Sequence, residues 1–583
     1  MSDSKRPIKG LGVSSGIARG TAFVLLSDRH LAAPRRKLED GEIGKELDRF
    51  DAALKTAEDE LSALRDMVRQ RIGKQEAEIF AAQMTVLRDP TLLKDVLHSV
   101  SHDRLNVEAA LTDVIGRAAR MLAELKDPYV QERAADIRDV GRRVLAVLMR
   151  EHAGEALAVP EGSVVVAEEL LPSVTAHMQM QGVLGLVTER GGKTSHAAIL
   201  ARSMGVPYVV GIRGACSVIR SGEILIVDGD SGEVFVNPAA EAESRYGRLA
   251  AELETRKEDL QELASFPSIT RDGVRIVLCA NVAKLEDAEA ARRCGADGVG
   301  LFRTEFLFMG RERFPTEDEQ FALYRELAER IKPGRVTIRV LDLGGDKILP
   351  YFPLASGHDH PLGLRGTRLL LRYPDILKTQ LRAILRAGAH GPVRILFPMI
   401  VDAQEMASAR HAIQDAARSL REEGRKFGEG LPAGAMIEVP AAAVLAGRIA
   451  RESDFLSVGT NDLIQYLLTA DRTSQDMLPY FESLHPSVLE VIRQLVKAAA
   501  DAEKELAVCG EMAADPGCTG LLIGLGVRSL SVVPGRILEV RQALRSVDTT
   551  EAAGMAERCL RAASAADVRE AMERGKMGAG SGQ

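Results

Sequence analysis

The chain has 583 residues, enough for three or four folding units at the usual ~100–200 residues each. It is 46% hydrophobic and 27% charged, and its formal net charge of −7 argues against the basic face of a nucleic-acid binder. No apolar run approaches the ~18–20 residues needed to cross a bilayer, and Met1–Gly10 is polar, without the apolar centre of a signal peptide, so a cytoplasmic protein with no membrane insertion is expected.

Residues 8–26 alternate apolar and small side chains around glycines, as in Gly16-Ile17-Ala18-Arg19-Gly20, which predicts two short strands and a turn. They belong to the first part, residues 1–35, of a β/α domain. Residues 36–155 change character. There is no proline between Pro34 and Pro90, and Leu47, Leu54, Leu61 and Leu64 recur at helical spacing among charged residues. Amphipathic helices are predicted there, broken near Asp89-Pro90 and Asp127-Pro128. Such a bundle either packs only on itself or docks another protein.

Residues 156–238 return to short β-rich runs such as Ser163-Val164-Val165-Val166 and Ile224-Leu225-Ile226-Val227, interrupted by a helix signal at 194–204. The helical stretch is therefore an insertion that splits one β/α domain. Residues 239–268 read as a charged helical connector. Over 269–565 eight short apolar runs alternate with helical segments, beginning near 275, 297, 336, 393, 434, 455, 506 and 529. That rhythm, over roughly the ~250 residues typical of the fold, predicts a (β/α)8 barrel. Residues 566–583 end in Gly578-Ala579-Gly580-Ser581-Gly582-Gln583 and are expected to be a flexible tail. The fold class is thus α/β multidomain: a split β/α unit with an inserted helical bundle, then a TIM-type barrel. The six cysteines are scattered without a CxxC pair, which argues against a disulfide framework or a zinc site.

Barrel chemistry sits at the C-terminal ends of the strands. Those ends carry Asn281, Arg303-Thr304-Glu305, Arg339 with Asp342 and Lys347, Pro398-Met399, Glu438, Asn461-Asp462 and Cys509-Gly510-Glu511. Packing alone does not call for a polar group at nearly every strand end. Arginine forks suit phosphate and carboxylate. The acids Glu438 and Asp462 suit a hard cation such as Mg²⁺, which takes one or two carboxylates and shares its other positions with substrate and water. A ligand that is both phosphate and carboxylate fits the set.

The sharpest local signal is Gly191-Gly192-Lys193-Thr194-Ser195-His196-Ala197-Ala198-Ile199-Leu200-Ala201-Arg202. The glycines permit a tight turn. Thr194 or Ser195 can cap the following helix, which puts His196 in its first turn, where backbone N–H groups and the helix dipole favour an anion. A lone histidine at a helix start is more often structural, but the glycine pair, the double cap and the small residues after it point to a phosphoryl carrier. Imidazole is largely uncharged, and nucleophilic, near neutral pH.

These stretches, with Gly295-Ala296-Asp297-Gly298-Val299-Gly300-Leu301-Phe302-Arg303-Thr304-Glu305-Phe306, Asp342-Leu343-Gly344-Gly345-Asp346-Lys347, Ser457-Val458-Gly459-Thr460-Asn461-Asp462-Leu463 and Asp471-Arg472, resemble enzyme I of the bacterial phosphotransferase system, over roughly residues 8–545. Asp136-Ile137-Arg138-Asp139-Val140 resembles the same family. The resemblance implies that His196 carries the phosphoryl group and that Arg303, Arg339 and Arg472, helped by Asn461 and Asp462, bind phosphoenolpyruvate. It implies further substrate-site roles for Lys347 and Arg365, Mg²⁺ on Glu438 and Asp462, and Cys509 as proton donor to the enolate. It also implies that the helical insert binds the phosphocarrier HPr, that the barrel forms a homodimer, and that the chain feeds sugar uptake.

Two departures stand out. The run His360-Pro361-Leu362-Gly363-Leu364-Arg365 is one residue shorter than the family's usual pattern, and Leu171 stands where a threonine is frequent near the active histidine. The rival small-molecule relatives, pyruvate phosphate dikinase and phosphoenolpyruvate synthase, need an ATP-grasp domain for which the chain has no room. The nitrogen-regulatory paralogue, with the same chemistry but a different carrier protein, typically carries a GAF domain before the pattern that here begins at Ile8; a truncated form of it is the alternative reading. A non-catalytic scaffold would be expected to lack His196 or the metal acids.

Overall fold

The computed structural model describes residues 7–25, 35–39, 41–71, 74–123, 128–149, 159–170, 182–192, 195–309, 311, 313–344, 349, 351–352, 362–472 and 477–579. Two compact units are present, Met1–Thr255 and Arg256–Gln583.

The first unit opens with β1 (Ile8–Lys9), β2 (Leu11–Ser14) and β3 (Ile17–Leu25), three strands where two were expected. Gly10 makes the difference. It separates β1, which pairs with β8 (Glu233–Val236), from β2, which pairs with β6 (Tyr208–Val210), and a Cβ at Gly10 would meet the Val210 carbonyl oxygen at 2.5 Å. The bundle follows: α1 (Ile43–Arg71), α2 (Lys74–Leu87), α3 (Pro90–Ser101), α4 (Val107–Ala123) and α5 (Pro128–Met149). Pro90 sits at the first position of α3, where its missing N–H costs nothing, and Asp89 caps that helix by accepting from Thr91 N and Leu92 N at 2.8 and 3.1 Å. Phe50, Leu61, Leu64, Phe80, Val100 and Val144 fill its core.

After the bundle come β4 (Ser163–Ala167), β5 (Gly185–Thr188), β6, β7 (Ile224–Asp228) and β8. The sheet order is β1-β8-β7-β3-β4-β5-β6-β2. β3 and β4 are parallel neighbours, in register from Thr21↔Ser163 to Leu25↔Ala167. Parallel neighbours need a crossover connection, and here the whole bundle is that crossover, so one sheet is assembled from chain on both sides of the insertion. Val164 and Val166 face one core while Val165 and Ala167 face another, as the two-residue strand period requires. Ala197, Ala198 and Ala201 of helix His196–Met204 pack into the second of these. Helix Ala240–Glu262 then fills the stretch read as a connector.

In the second unit β9 (Val277–Val282), β10 (Gly298–Arg303), β11 (Arg335–Arg339), β12 (Val393–Phe397), β13 (Ala433–Ile437), β14 (Phe455–Gly459), β15 (Glu505–Cys509) and β16 (Ser529–Val532) close into a parallel barrel. Its strands read as apolar runs because both faces are covered. Leu301, Leu396, Met436, Phe455 and Cys509 form a separate buried cluster. The stretch expected to be a flexible tail is instead helical over Ala565–Ala579, with Val568 and Met572 buried in the barrel-unit core. These two apolar residues, one turn apart, anchor the helix, and residues 580–583 of the glycine-rich end lie outside the described residues. Among the described residues no helix is long and apolar enough to cross a membrane.

Candidate active site

In the first unit, Gly191 adopts φ +132°, and Ser195 N donates to Gly192 O at 3.2 Å, which closes the turn before the helix. Ser195 is the cap: its Oγ accepts from Ala198 N at 3.3 Å. His196 is the first residue of helix His196–Met204. That helix ends at Gly205 in the left-handed region at φ 67°, a conformation in which glycine meets no Cβ penalty. Lys193, Thr194 and Leu171 lie outside the described residues.

In the barrel unit, Arg303, Arg339 and Cys509 end β10, β11 and β15. Glu438 directly follows β13, and Asn461 and Asp462 open helix Thr460–Leu468 after β14. Asp342 and Arg365 stand in the segments after β11, and Arg472 follows helix Thr460–Leu468. Lys347 and His360-Pro361 lie outside the described residues.

The side chains form one charged network. Arg339 is buried, and its Nη2 donates to Glu305 while its Nη1 lies 3.6 Å from Asp342 Oδ2. Arg365 faces the same carboxylate: Nε reaches Asp342 Oδ1 at 3.3 Å and Nη2 reaches Oδ2 at 2.9 Å. The remaining Nη1 of Arg365 donates to the Tyr466 hydroxyl at 3.1 Å, and its Nη2 lies 3.6 Å from Asp462 Oδ2. Arg472 approaches the other Asp462 oxygen only to 4.0 Å. Arg303 is exposed at the end of its strand. Asn461 Oδ1 accepts from Glu511 N at 3.0 Å, which ties the ends of β14 and β15 together.

Glu438 is wholly buried, and its Oε1 accepts from Met399 N at 2.8 Å. Met399 takes φ +57°, the left-handed region that a non-glycine residue enters at some cost, and this turns its N–H toward the carboxylate. Gly459 leaves room for the second oxygen, since a Cβ there would meet Glu438 Oε2 at 2.6 Å. Burial, then the neighbouring Asp462 and Asp342, push the Glu438 carboxyl up to about 8. Burial works to lower the pKa of Arg339, but Glu305, Asp342, Glu438 and Asp462 around it more than offset that. Among the described residues, Asp462 Oδ1 and Arg339 Nε are buried with no hydrogen-bond partner.

The site thus holds buried acids forced close together and, among the described residues, a carboxylate oxygen without a hydrogen-bond partner. A divalent cation between Glu438 and Asp462 would relieve both conditions, so the residues fit the metal their chemistry suggests. The Cys509 thiol is buried, donates to Val458 O at 3.2 Å and accepts from Ser457 Oγ at 3.8 Å. Burial pushes it up to about 11, so it keeps its proton at neutral pH.

Three successive family descriptions match the chain: "PEP-utilising enzyme, N-terminal" over residues 9–133, "PEP-utilising enzyme, mobile domain" over 159–232 and "PEP-utilising enzyme, PEP-binding domain" over 257–549. The phosphoenolpyruvate-protein phosphotransferase of Bacillus sp. (strain S) is 39% identical over 564 residues, 97% of each chain. The chain belongs to the phosphoenolpyruvate–protein phosphotransferase family. The Geobacillus stearothermophilus phosphotransferase is also 39% identical, over 97% of each chain, and the Haemophilus influenzae one is 36% identical over 97% of this chain and 98% of its own. A chain of this family, matched along nearly its whole length, is an enzyme.

Within this phosphotransferase site, sequence reasoning passed over the roles of Glu305, Asp342 and Tyr466. Glu305 and Asp342 stood at strand ends but were not separated from their neighbours. Their partners lie 34 and 23 residues away in sequence. Tyr466 carried one usable signal: it follows Asp462 by four residues on a helix, so both face the same side.

Proposed function

We propose that this chain transfers the phosphoryl group of phosphoenolpyruvate to His196 and from there to the phosphocarrier HPr, releasing pyruvate, as the first step of sugar uptake in the cytoplasm. The observation that carries the reading is the rim of the barrel. There Arg303, Arg339 and Arg472 stand with Glu438, Asp462 and a protonated buried thiol, a set matched to a ligand with a phosphate, a carboxylate and an enol.

In this reading the guanidinium groups of Arg303, Arg339 and Arg472, with Asn461 and the Asp462 backbone, orient the substrate anions. Lys347 and Arg365 complete the substrate site. Glu438 and Asp462 would hold Mg²⁺, which when bound neutralises charge on the phosphate and enolate oxygens. A neutral His196 nitrogen attacks phosphorus, the bond from phosphorus to the enol oxygen breaks, and the electron pair stays with the enolate. The Cys509 thiol gives its proton to the methylene carbon, pyruvate leaves, and the thiolate is reprotonated from water. At the start of its helix, phospho-His196 sits where backbone N–H groups and the dipole favour an anion. In this reading the unit that carries His196 swings between substrate and carrier, the kind of motion by which hinged units serve two partners. The helical insert docks HPr, and the barrel unit forms a homodimer.

The test is transfer of label from phosphoenolpyruvate to wild type and to Cys509→Ala. The account expects phosphoryl transfer to persist at a much reduced rate in the variant, with slow ketonisation of the enol. A variant that forms pyruvate from the enolate as fast as wild type would remove Cys509 from the reaction.

A further inference from the structure

One buried charge has no part in the chemistry above. Arg541, on helix Ile537–Ser546, is 1% exposed, yet among the described residues no carboxylate hydrogen-bonds to it. Its guanidinium is instead ringed by oxygens of the backbone. Nη1 donates to the carbonyls of Leu263, Ala264 and Cys294 at 3.0, 3.3 and 2.8 Å, Nη2 to that of Gly295 at 2.5 Å, and Nε to Ser268 Oγ at 3.1 Å. Burying an arginine without a counter-ion is costly. Burial lowers its pKa, and the charge of Asp297 only partly opposes that.

The five acceptors come from two places. Leu263, Ala264 and Ser268 are the residues that immediately follow connector helix Ala240–Glu262, and Cys294 and Gly295 open the loop into β10. Gly295 takes φ +68°, and a Cβ there would lie 1.9 Å from the Ala264 carbonyl oxygen, so the connector end is pressed against this loop. The contacts continue past it: Arg545 lies over the Phe266 ring at 5.1 Å, Ile276 N donates to Ser268 O at 2.9 Å, and Arg271 N donates to Val547 O at 2.8 Å. Arg303, at the other end of the same motif, belongs to the substrate rim.

We propose that Arg541 is a positioning residue that fixes the barrel end of the connector, so that the movement bringing His196 to the substrate pivots before Leu263 rather than at the barrel surface. The motif Gly295–Glu305 then does two jobs, anchoring the connector at one end of β10 and binding substrate at the other. This rests on the phosphoryl-transfer reading above. A fixed anchor restricts the orientations His196 samples and raises its effective concentration at the rim; loosening it lowers that concentration without touching the rim.

The experiment uses the full chain with Arg541→Met, and Gly295→Ala as a second variant that displaces the same segment from the opposite side. Amide hydrogen exchange over residues 263–270, equilibrium binding of phosphoenolpyruvate, and single-turnover labelling of His196 are measured on each. Expected are faster exchange in 263–270, phosphoenolpyruvate affinity within about twofold of wild type, and labelling slowed by roughly tenfold. Arg541→Lys, which keeps the charge but not the fork, should recover only part of the rate. Faster exchange with unchanged labelling would overturn the proposal, as would unchanged exchange or a loss of labelling matched by an equal loss of substrate affinity. If wild type itself took no label, the transfer reading would fall, and this inference with it.

Discussion

The two ends of the barrel bury similar groups to different effect. At the N-terminal end Arg394 donates to Thr337 Oγ1 at 2.7 Å, lies 3.2 Å from Glu505 Oε2 and stacks over Phe455 at 4.0 Å, while Arg335 holds the other Glu505 oxygen. Every charge there has a partner. At the C-terminal end the acids Glu305, Asp342, Glu438 and Asp462 crowd two buried arginines, a carboxyl is pushed up to about 8, and Asp462 Oδ1 has no hydrogen-bond partner. The ends are linked by the apolar cluster between them, since Met436 Sδ lies 3.8 Å from Arg339 and Phe455 carries Arg394. A satisfied buried network closes a fold. A buried network that crowds acids together and leaves a carboxylate oxygen unpaired among the described residues is suited to take up a cation.

That contrast is open to attack by mutation. The largest effect is expected at the unsatisfied end: Glu438→Gln should lower single-turnover labelling of His196 by about a thousandfold or more, with little loss of thermal stability in metal-free protein. A variant within tenfold of wild type would mean that the crowded acids are not there for a cation. Arg394→Met at the satisfied end should do the reverse. Denaturant unfolding of the barrel unit should show a loss of about 3 kcal/mol, while the protein still folded labels at the wild-type rate. Gly459→Ala touches neither charge but moves Glu438 Oε2 aside, so the Mg²⁺ concentration for half-maximal labelling should rise roughly tenfold, and an unchanged value would show that this oxygen does not face the metal.

The pH dependence is the gentlest test. Because the Glu438 carboxyl is raised, the metal-free protein binds more protons folded than unfolded between its ordinary value of 4.5 and about 8, and so loses stability as pH rises through that window. Mg²⁺ must displace the same proton. Its stabilising effect in thermal melts should therefore grow by up to about tenfold in apparent affinity per pH unit below pH 8 and level off above it. A shift independent of pH would separate Glu438 from the metal.

The barrel was legible because a strand buried on both faces has to be apolar along its length, so runs such as Phe455-Leu456-Ser457-Val458 mark themselves. The rim was legible because a polar residue at the end of such a run has few packing reasons to be there. What stayed hidden was pairing. Nothing local says that Asp342 faces Arg365, 23 residues on, as well as its neighbour Arg339, and Met399 and Glu438, or Arg394 and Glu505, meet only because they come from different strands. Gly10 hid a strand break for a similar reason: its small size answers the Val210 carbonyl 200 residues on. The helix Ala565–Ala579 was misjudged from its glycine-rich end, although Val568 and Met572 already carried the helical spacing.

The most direct test of the central claim is labelling with phosphoenolpyruvate and Mg²⁺, with and without HPr, beside His196→Ala. The account predicts acid-labile label on the wild type that passes to HPr and is absent from the variant. Label that persists on His196→Ala, or wild type that takes none, would contradict it.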